Sequence, residues 1–230
     1  MLTPLEIEAL QLSLLVGVVS IVFALPVALA CAWLLARRDF WGKSLFDGIV
    51  HLPLVLPPVA VGFALLVLFG RNGIVGAFLY KTFGFTFAFN WKGAALASAV
   101  MAFPLMVRAM RLSLEAIDQR LEAAARSLGA GRWRVFATIS LPMAAPGILT
   151  GAILGFARSV GEFGATITFV SNIPGQTRTL PVALYTLTQI PGSDGPAWRL
   201  AGLSLALALA ALIASEMLAR RLGRRLRGLD

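Results

Sequence analysis

The 230-residue chain is 58% apolar and only 13% charged, with a mean hydropathy of +0.83. A water-soluble domain needs about 25% charged residues to cover its surface, so the composition excludes one and points to a single membrane-embedded unit over 1–230. The net charge of +9 does not indicate nucleic-acid binding, because the basic residues gather at the ends of apolar runs rather than along one face with interleaved aromatics. The lone cysteine, Cys31, lies in an apolar run, which excludes an internal disulfide and a multi-thiolate metal site.

A helix needs about 20 apolar residues to cross the hydrocarbon core of a bilayer. Residues 9–36 form the first uncharged run, long enough to cross and too long for the apolar core of a signal peptide. The next run, 48–70, contains Pro53, Pro57 and Pro58. Proline removes a backbone donor and kinks a helix, and broken helices commonly bound transport cavities. These three prolines are therefore candidates for a pathway, with a kink that only shapes packing as the alternative. Gly42-Lys43-Ser44 has the ending of a phosphate-binding loop, but Arg37 stands where that loop needs glycine and a membrane helix precedes it. No nucleotide site is expected there. His51, the sole histidine, has no cluster of ligands around it and reads as an interfacial residue. No metal site and no catalytic pairing of nucleophile with base is expected anywhere.

The run 93–107 is short, but Trp91, Lys92 and Arg108 extend it, because aromatic and basic residues sit at the interface or snorkel to it. Then comes EAAARSLGAGRWRVFATISLP, 122–142, which reads as a short helix, a glycine turn and a second helix outside the membrane. Leu121, Ala124, Ala125 and Leu128 fall at i, i+3, i+4 and i+7 as one apolar stripe, while Arg120, Glu122 and Arg126 occupy other faces. Gly129 and Gly131 suit the turn, and Trp133 and Phe136 anchor the second helix at the membrane. Helices this short are marginal alone. A groove on another protein would supply the missing packing; an ordinary connecting loop is the alternative.

The fourth run, 135–157, carries Gly147, Gly151 and Gly155 every four residues, a face that lets another helix approach closely, within the subunit or across a dimer. It ends in Arg158-Ser159-Val160-Gly161-Glu162-Phe163-Gly164. Ionisable residues in or near a membrane face the bundle interior, and Arg158 and Glu162, spaced i, i+4, can pair on one helical face. The group is either a structural ion pair or a gate, in which the small Ser159, Gly161 and Gly164 leave room. Residues 163–190 are apolar but broken by Asn172, Pro174, Gly175, Arg178 and Pro181. The last run, 200–215, is extended by Trp198, Arg199 and Arg220 and followed by a basic tail, 220–230. The expected fold is all-α and polytopic, with five crossings and a core of about 9–219.

Orientation follows from the basic residues. With the N-terminus outside, the inner side holds Arg37, Arg38, Lys43, Arg108, Arg111, Arg120, Arg126, Arg132 and Arg134, together with Arg220, Arg221, Arg224, Arg225 and Arg227. The outer side holds Arg71, Lys81, Lys92, Arg178 and Arg199. A full extra crossing at 163–190 would put the basic tail outside, so that segment is expected to enter and return or to lie along a cavity.

The order Ala124-Ala125, Leu128-Gly129, then Ile139, Leu141 and Pro142 resembles the EAA loop of ABC-importer permeases. Aligned on Gly129, the position usual for glutamate in that loop holds Ala123, and Glu122 lies one residue earlier. The segments HLPLVLPPVAVGFALLVLFG (51–70) and ARSVGEFGATITFVSNIPGQTRTLP (157–181) are similar to the permeases of bacterial molybdate importers, and sulfate permeases carry looser forms of the second. The resemblance implies an ABC type I importer transmembrane domain in the bacterial cytoplasmic membrane. It further implies two copies of the chain, a cytosolic ATPase dimer that holds ATP and magnesium, and an external molybdate-binding protein. It makes Arg120, Leu121, Glu122, Ala123, Ala124, Ala125, Leu128, Gly129 and Arg132 the candidates for coupling to the ATPase, with no cofactor on this chain. Tungstate or sulfate import, and secondary transport, are the alternatives.

Overall fold

The computed structural model describes residues 3–226, and every regular element among them is helical. Of the basic tail, residues 227–230 lie outside the described residues, as do the side chains of Ser215 and of 218 onward. Helix α1 (Pro4–Arg37) outruns the apolar stretch 9–36 at its start because Thr3 caps it. The Thr3 hydroxyl accepts from the Glu6 amide, and Glu6 Oε2 accepts from the Thr3 amide at 2.7 Å.

The run 48–70 is two helices, α2 (Lys43–Val55) and α3 (Pro58–Phe69), whose axes meet at 113°. The expected kinked span is thus a full break. Pro57 and Pro58 both lack an amide donor, and each pushes the residue before it out of the helical region, so no hydrogen-bond ladder can bridge Leu56 and Pro57. Pro53, alone, is tolerated within α2. A short helix that the sequence reading did not anticipate, α4 (Ile74–Phe83), follows. Helix α5 (Trp91–Glu115) begins at Asn90, whose Oδ1 accepts from the Lys92 and Gly93 amides.

Next come α6 (Gln119–Ser127), α7 (Arg132–Val135), a π turn (Phe136–Ser140) and α8 (Leu141–Val160). The second helix of the hairpin is not separate: Arg132–Val160 is one helical rod of 29 residues. Beyond it lie α9 (Gly164–Val170), α10 (Leu180–Thr188) and α11 (Asp194–Leu226). Helices α1, α5 and α11 and the Arg132–Val160 rod can each cross a bilayer, and the bent α2–α3 pair makes a fifth crossing when counted as one.

Within segment 163–190, α9 has 7 residues and α10 has 9, each too short to cross a bilayer by itself. Helix α9 runs beside α3 and carries the path of α8 on to the start of α5, where Val170 meets Gly93. Helix α10 then folds back along the beginning of α1; the Leu180 amide donates to Ser13 Oγ at 2.7 Å, and Ala9, Leu180, Ala183 and Leu200 form a small buried cluster. Two larger cores occupy the two ends of the bundle. One joins Leu35, Met106, Met110, Leu114 and Ala144; the other joins Leu12, Val61, Leu65, Ala94 and Phe169. The glycine stripe faces inward, with Gly147 and Gly151 against α5 and Gly155 against Met106 and Ile21, so it is a packing face within the subunit.

Candidate functional site

Helix α6 buries none of its residues. Asp118 caps its start by accepting from the Arg120 amide at 2.9 Å. Gly129 ends it at φ +86°, a conformation that side chains with a Cβ resist. The Ala130 amide reaches the Ala125 carbonyl and the Gly129 amide the Arg126 carbonyl, both at 3.0 Å, so the last turn is closed by its own backbone. The sequence-predicted stripe stands free: Leu121 and Ala124 are exposed and Leu128 is 89% exposed, while Ala125 turns half inward. Trp133 beside it is exposed as well, and Arg120, Arg126 and Arg132 surround the stripe with positive charge. The helix thus presents an exposed apolar stripe flanked by arginines and buries none of its residues.

Glu122 behaves differently from the rest of α6. Position 123 is exposed, but Glu122, about 100° round the helix from it, points into the chain. Its Oε1 lies 2.9 Å from Arg37 Nη2 at the end of α1 and accepts from Ser140 Oγ, also at 2.9 Å. The same Arg37 nitrogen lies 3.5 Å from the Ile117 carbonyl. The Arg37 and Glu122 side chains are 7% and 14% exposed, and Ser140 is buried. Ser140 ends the π turn, in which the Leu141 amide reaches the Phe136 carbonyl five residues back, and Phe136 packs edge-on against Trp33 of α1. Sequence reasoning missed Arg37 and Ser140, because both are remote from Glu122 along the chain and neither spacing nor periodicity links them. In the adjoining α1–α2 loop, the hydrogen bond from Lys43 holds the exposed Asp39 carboxyl below the usual carboxylate range.

The second candidate region lies in the middle of the bundle. Arg158 Nη1 and Glu162 Oε2 are 2.5 Å apart, with the Glu162 side chain 1% exposed and that of Arg158 28% exposed. The other oxygen of Glu162 accepts from the Ala165 amide at 2.8 Å and so caps the start of α9. Ser159 is buried against Ser20, half-way along α1, with the two hydroxyl oxygens 2.8 Å apart; Ser20 donates to the Gly17 carbonyl, which leaves Ser159 to donate to Ser20. Gly164 packs on Pro58, and Gly62 on the backbone of Ala165, so the break between α2 and α3 meets the break between α8 and α9. Pro57, Pro58 and Gly161 are exposed there, Arg158 is partly so, and Glu162, Ser159 and Gly164 hold the junction from behind. Pro53, one turn earlier in α2, is half-buried.

A further charged group was not anticipated. Asp47 on α2 pairs with Arg111 on α5 at 3.0 Å, Arg111 with Glu115 at 2.7 Å, and His51 Nδ1 lies 3.0 Å from Asp47. His51 is thus tied to its own helix. Among the described residues no group of His, Cys, Asp and Glu is arranged to hold a metal ion.

Comparison with known proteins adds to this geometry. The family described as binding-protein-dependent transport system inner membrane component matches residues 14–225. The chain is 61% identical to the molybdenum transport system permease protein ModB of Escherichia coli (strain K12), over 95% of this chain and 96% of that protein. It is 57% identical to the ModB protein of Haemophilus influenzae, over 96% of this chain and 97% of that one. Identity is 36% to the sulfate transport system permease protein CysW of Synechococcus elongatus, over 96% and 76% of the two chains. Among solved structures, a bacterial ABC transporter involved in the import of alginate superposes with a TM-score of 0.75 at 19% identity, covering 96% of this chain and 80% of that one.

Proposed function

The chain belongs to the binding-protein-dependent transport system inner membrane components, and from that premise we propose that it is the permease subunit of an ATP-driven molybdate importer. It is a multi-pass inner-membrane transport component with the ABC type I importer fold. The observation that carries the substrate is the identity of 61% and 57% to two molybdenum permeases, against 36% to the sulfate permease.

In this reading the α6 end of the bundle faces the cytosol and the N-terminus lies outside, an orientation that the arginines around α6 favour by the positive-inside rule. Hydrolysis, with its ATP and magnesium, belongs to a separate pair of ATPase subunits. Leu121, Ala124 and Leu128 enter a cleft on one of them, and the surrounding arginines meet its rim. Two copies of the chain enclose one path, using exposed apolar residues of α2 and α3 such as Ile49, Val55, Val59 and Phe63. Closure of the ATPase pair moves the two hairpins, and the spans rock as rigid bodies between outward- and inward-facing states.

The mid-bundle junction supports the same reading. Pro57, Pro58, Gly161 and the exposed part of Arg158 line the path at the level where both helix pairs break. An arginine already neutralised by Glu162 lets an oxyanion pass without trapping it. Selection between oxyanions rests with an external molybdate-binding protein. The test is uptake of labelled molybdate by the assembled complex in vesicles, with the loaded binding protein outside and a large excess of sulfate. Molybdate uptake that needs ATP and resists sulfate is expected. Equal competition by sulfate would reassign the substrate, and uptake driven by an ion gradient without ATPase subunits would refute the importer reading.

A further inference from the structure

Helix α6 buries none of its residues against the bundle, and its one inward-facing polar side chain bonds to two other elements at once. We propose that Glu122, held by Arg37 and Ser140, is the joint that makes α1 and α8 follow α6, and that these three positioning residues set how much transport each hydrolysed ATP yields. The inference rests on α6 being the ATPase-docking helix.

The geometry gives the reasons. Glu122 Oε1 accepts from Arg37 Nη2 and Ser140 Oγ, so one carboxylate oxygen is shared by the last residue of α1 and the last residue of the π turn. Arg37 also reaches the Ile117 carbonyl in the turn between α5 and α6, which brings a third element to the same point. The neighbouring charges do not compete for Glu122: Arg38 lies over the Trp33 ring, and Arg126 Nε donates to the Glu122 carbonyl on the backbone. The ion pair is mostly shielded from water, so it is stiffer and less screened by salt than a surface pair. The π turn beside it lengthens one turn of the helix by a residue, a feature frequent at functional sites. Without the carboxylate, α6 would still present its outer stripe but would be tethered to the bundle through its two backbone ends.

The experiment compares Glu122→Gln, Ser140→Ala and the charge exchange Arg37→Glu with Glu122→Arg in the assembled transporter in vesicles. Molybdate taken up per ATP hydrolysed is the reading that a purely structural role would not move. Glu122→Gln is expected to keep the ATPase subunits through purification yet lower uptake per ATP by about fivefold or more, in the range of typical coupling energies. Ser140→Ala is expected to lower it less, and the exchange to restore most of it relative to Arg37→Glu alone. Leu128→Glu, on the outer stripe, serves as the contrast: it is expected to lose the ATPase subunits. Were Leu128→Glu to keep them, the docking reading would fail while the Glu122 comparison could still be made. Unchanged uptake per ATP in Glu122→Gln, or loss of the ATPase subunits in that variant, would overturn the joint.

Discussion

The glycine stripe of α8 offers a graded test of the bundle, because the three positions have the same residue but different surroundings. An alanine Cβ at Gly147 would collide with Ser113 Cβ and lie 2.9 Å from the Ala109 carbonyl oxygen, both fixed to the α5 backbone. At Gly151 it would lie 3.1 Å from the Met106 carbonyl and 3.3 Å from Met110 Cε, a gap that a shift of a few tenths of an ångström relieves. At Gly155 it would lie 2.8 Å from Ile21 Cδ1, the far end of a flexible side chain, and 2.8 and 2.9 Å from Met106 Cγ and Sδ, which move only if that unbranched side chain changes rotamer. Overpacking costs about 1–3 kcal/mol, and alanine regains about 0.5–1 kcal/mol over glycine inside a helix. Gly147→Ala is therefore expected to destabilise by about 2 kcal/mol, Gly151→Ala by about 1 or less, and Gly155→Ala by nearly nothing. For a chain of this length, about 2 kcal/mol lowers the unfolding midpoint by about 4–8 °C. The assay is thermal unfolding of the purified protein in detergent, followed by tryptophan fluorescence at several protein concentrations. The reasoning is refuted if Gly155→Ala costs more than Gly147→Ala, or if the loss at Gly147 depends on concentration, since the contact would then lie between copies.

Three other outcomes are expected. Gly129→Pro forces φ from +86° to about −65° and deletes the amide bonded to the Arg126 carbonyl, so uptake should fall while hydrolysis persists and membrane insertion is intact; vesicle transport with wild-type uptake would contradict it. Leu128→Glu, at a position 89% exposed, should leave thermal stability within about 0.5 kcal/mol while the ATPase subunits are lost on purification. Glu162→Ala leaves the partly exposed Arg158 without its partner and should cost about 2–3 kcal/mol, less than a fully buried pair because Arg158 reaches solvent, whereas replacing both residues by leucine should cost much less. Unfolding midpoints of the single and double variants decide that last point, and equal losses in the two would count against the pairing.

Most of the fold was legible because lipid imposes a simple rule: long uncharged runs must be helices. The runs 9–36, 93–107, 135–157 and 200–215 lie in α1, α5, the Arg132–Val160 rod and α11. The ends were extended by caps such as Thr3 and Asn90, which hydropathy does not weigh. The break at Leu56 and Pro57 was half legible: the prolines announced it, but its angle depends on α3 packing against α9 through Gly62 and Gly164. Helix α4 escaped notice because ten residues with a lysine fall below the length of a crossing. The exposed apolar stripe of α6 and the Gly129 turn were readable from local spacing. The inward face of α6 was not, since Glu122 finds Arg37 and Ser140 only once α1 and α8 lie side by side. The π turn has no compositional sign at all.

One consequence of the continuous helical path from Arg132 to Val160 is leverage of displacement. At about 1.5 Å per residue the rod is about 43 Å long, so a tilt of about 5° swings its far tip by about 4 Å. That throw is comparable to the width of a small tetrahedral anion. The tip ends at the Ser159–Ser20 contact and the Arg158–Glu162 pair, so any tilt of the rod that pivots near α6 is felt most at these two contacts.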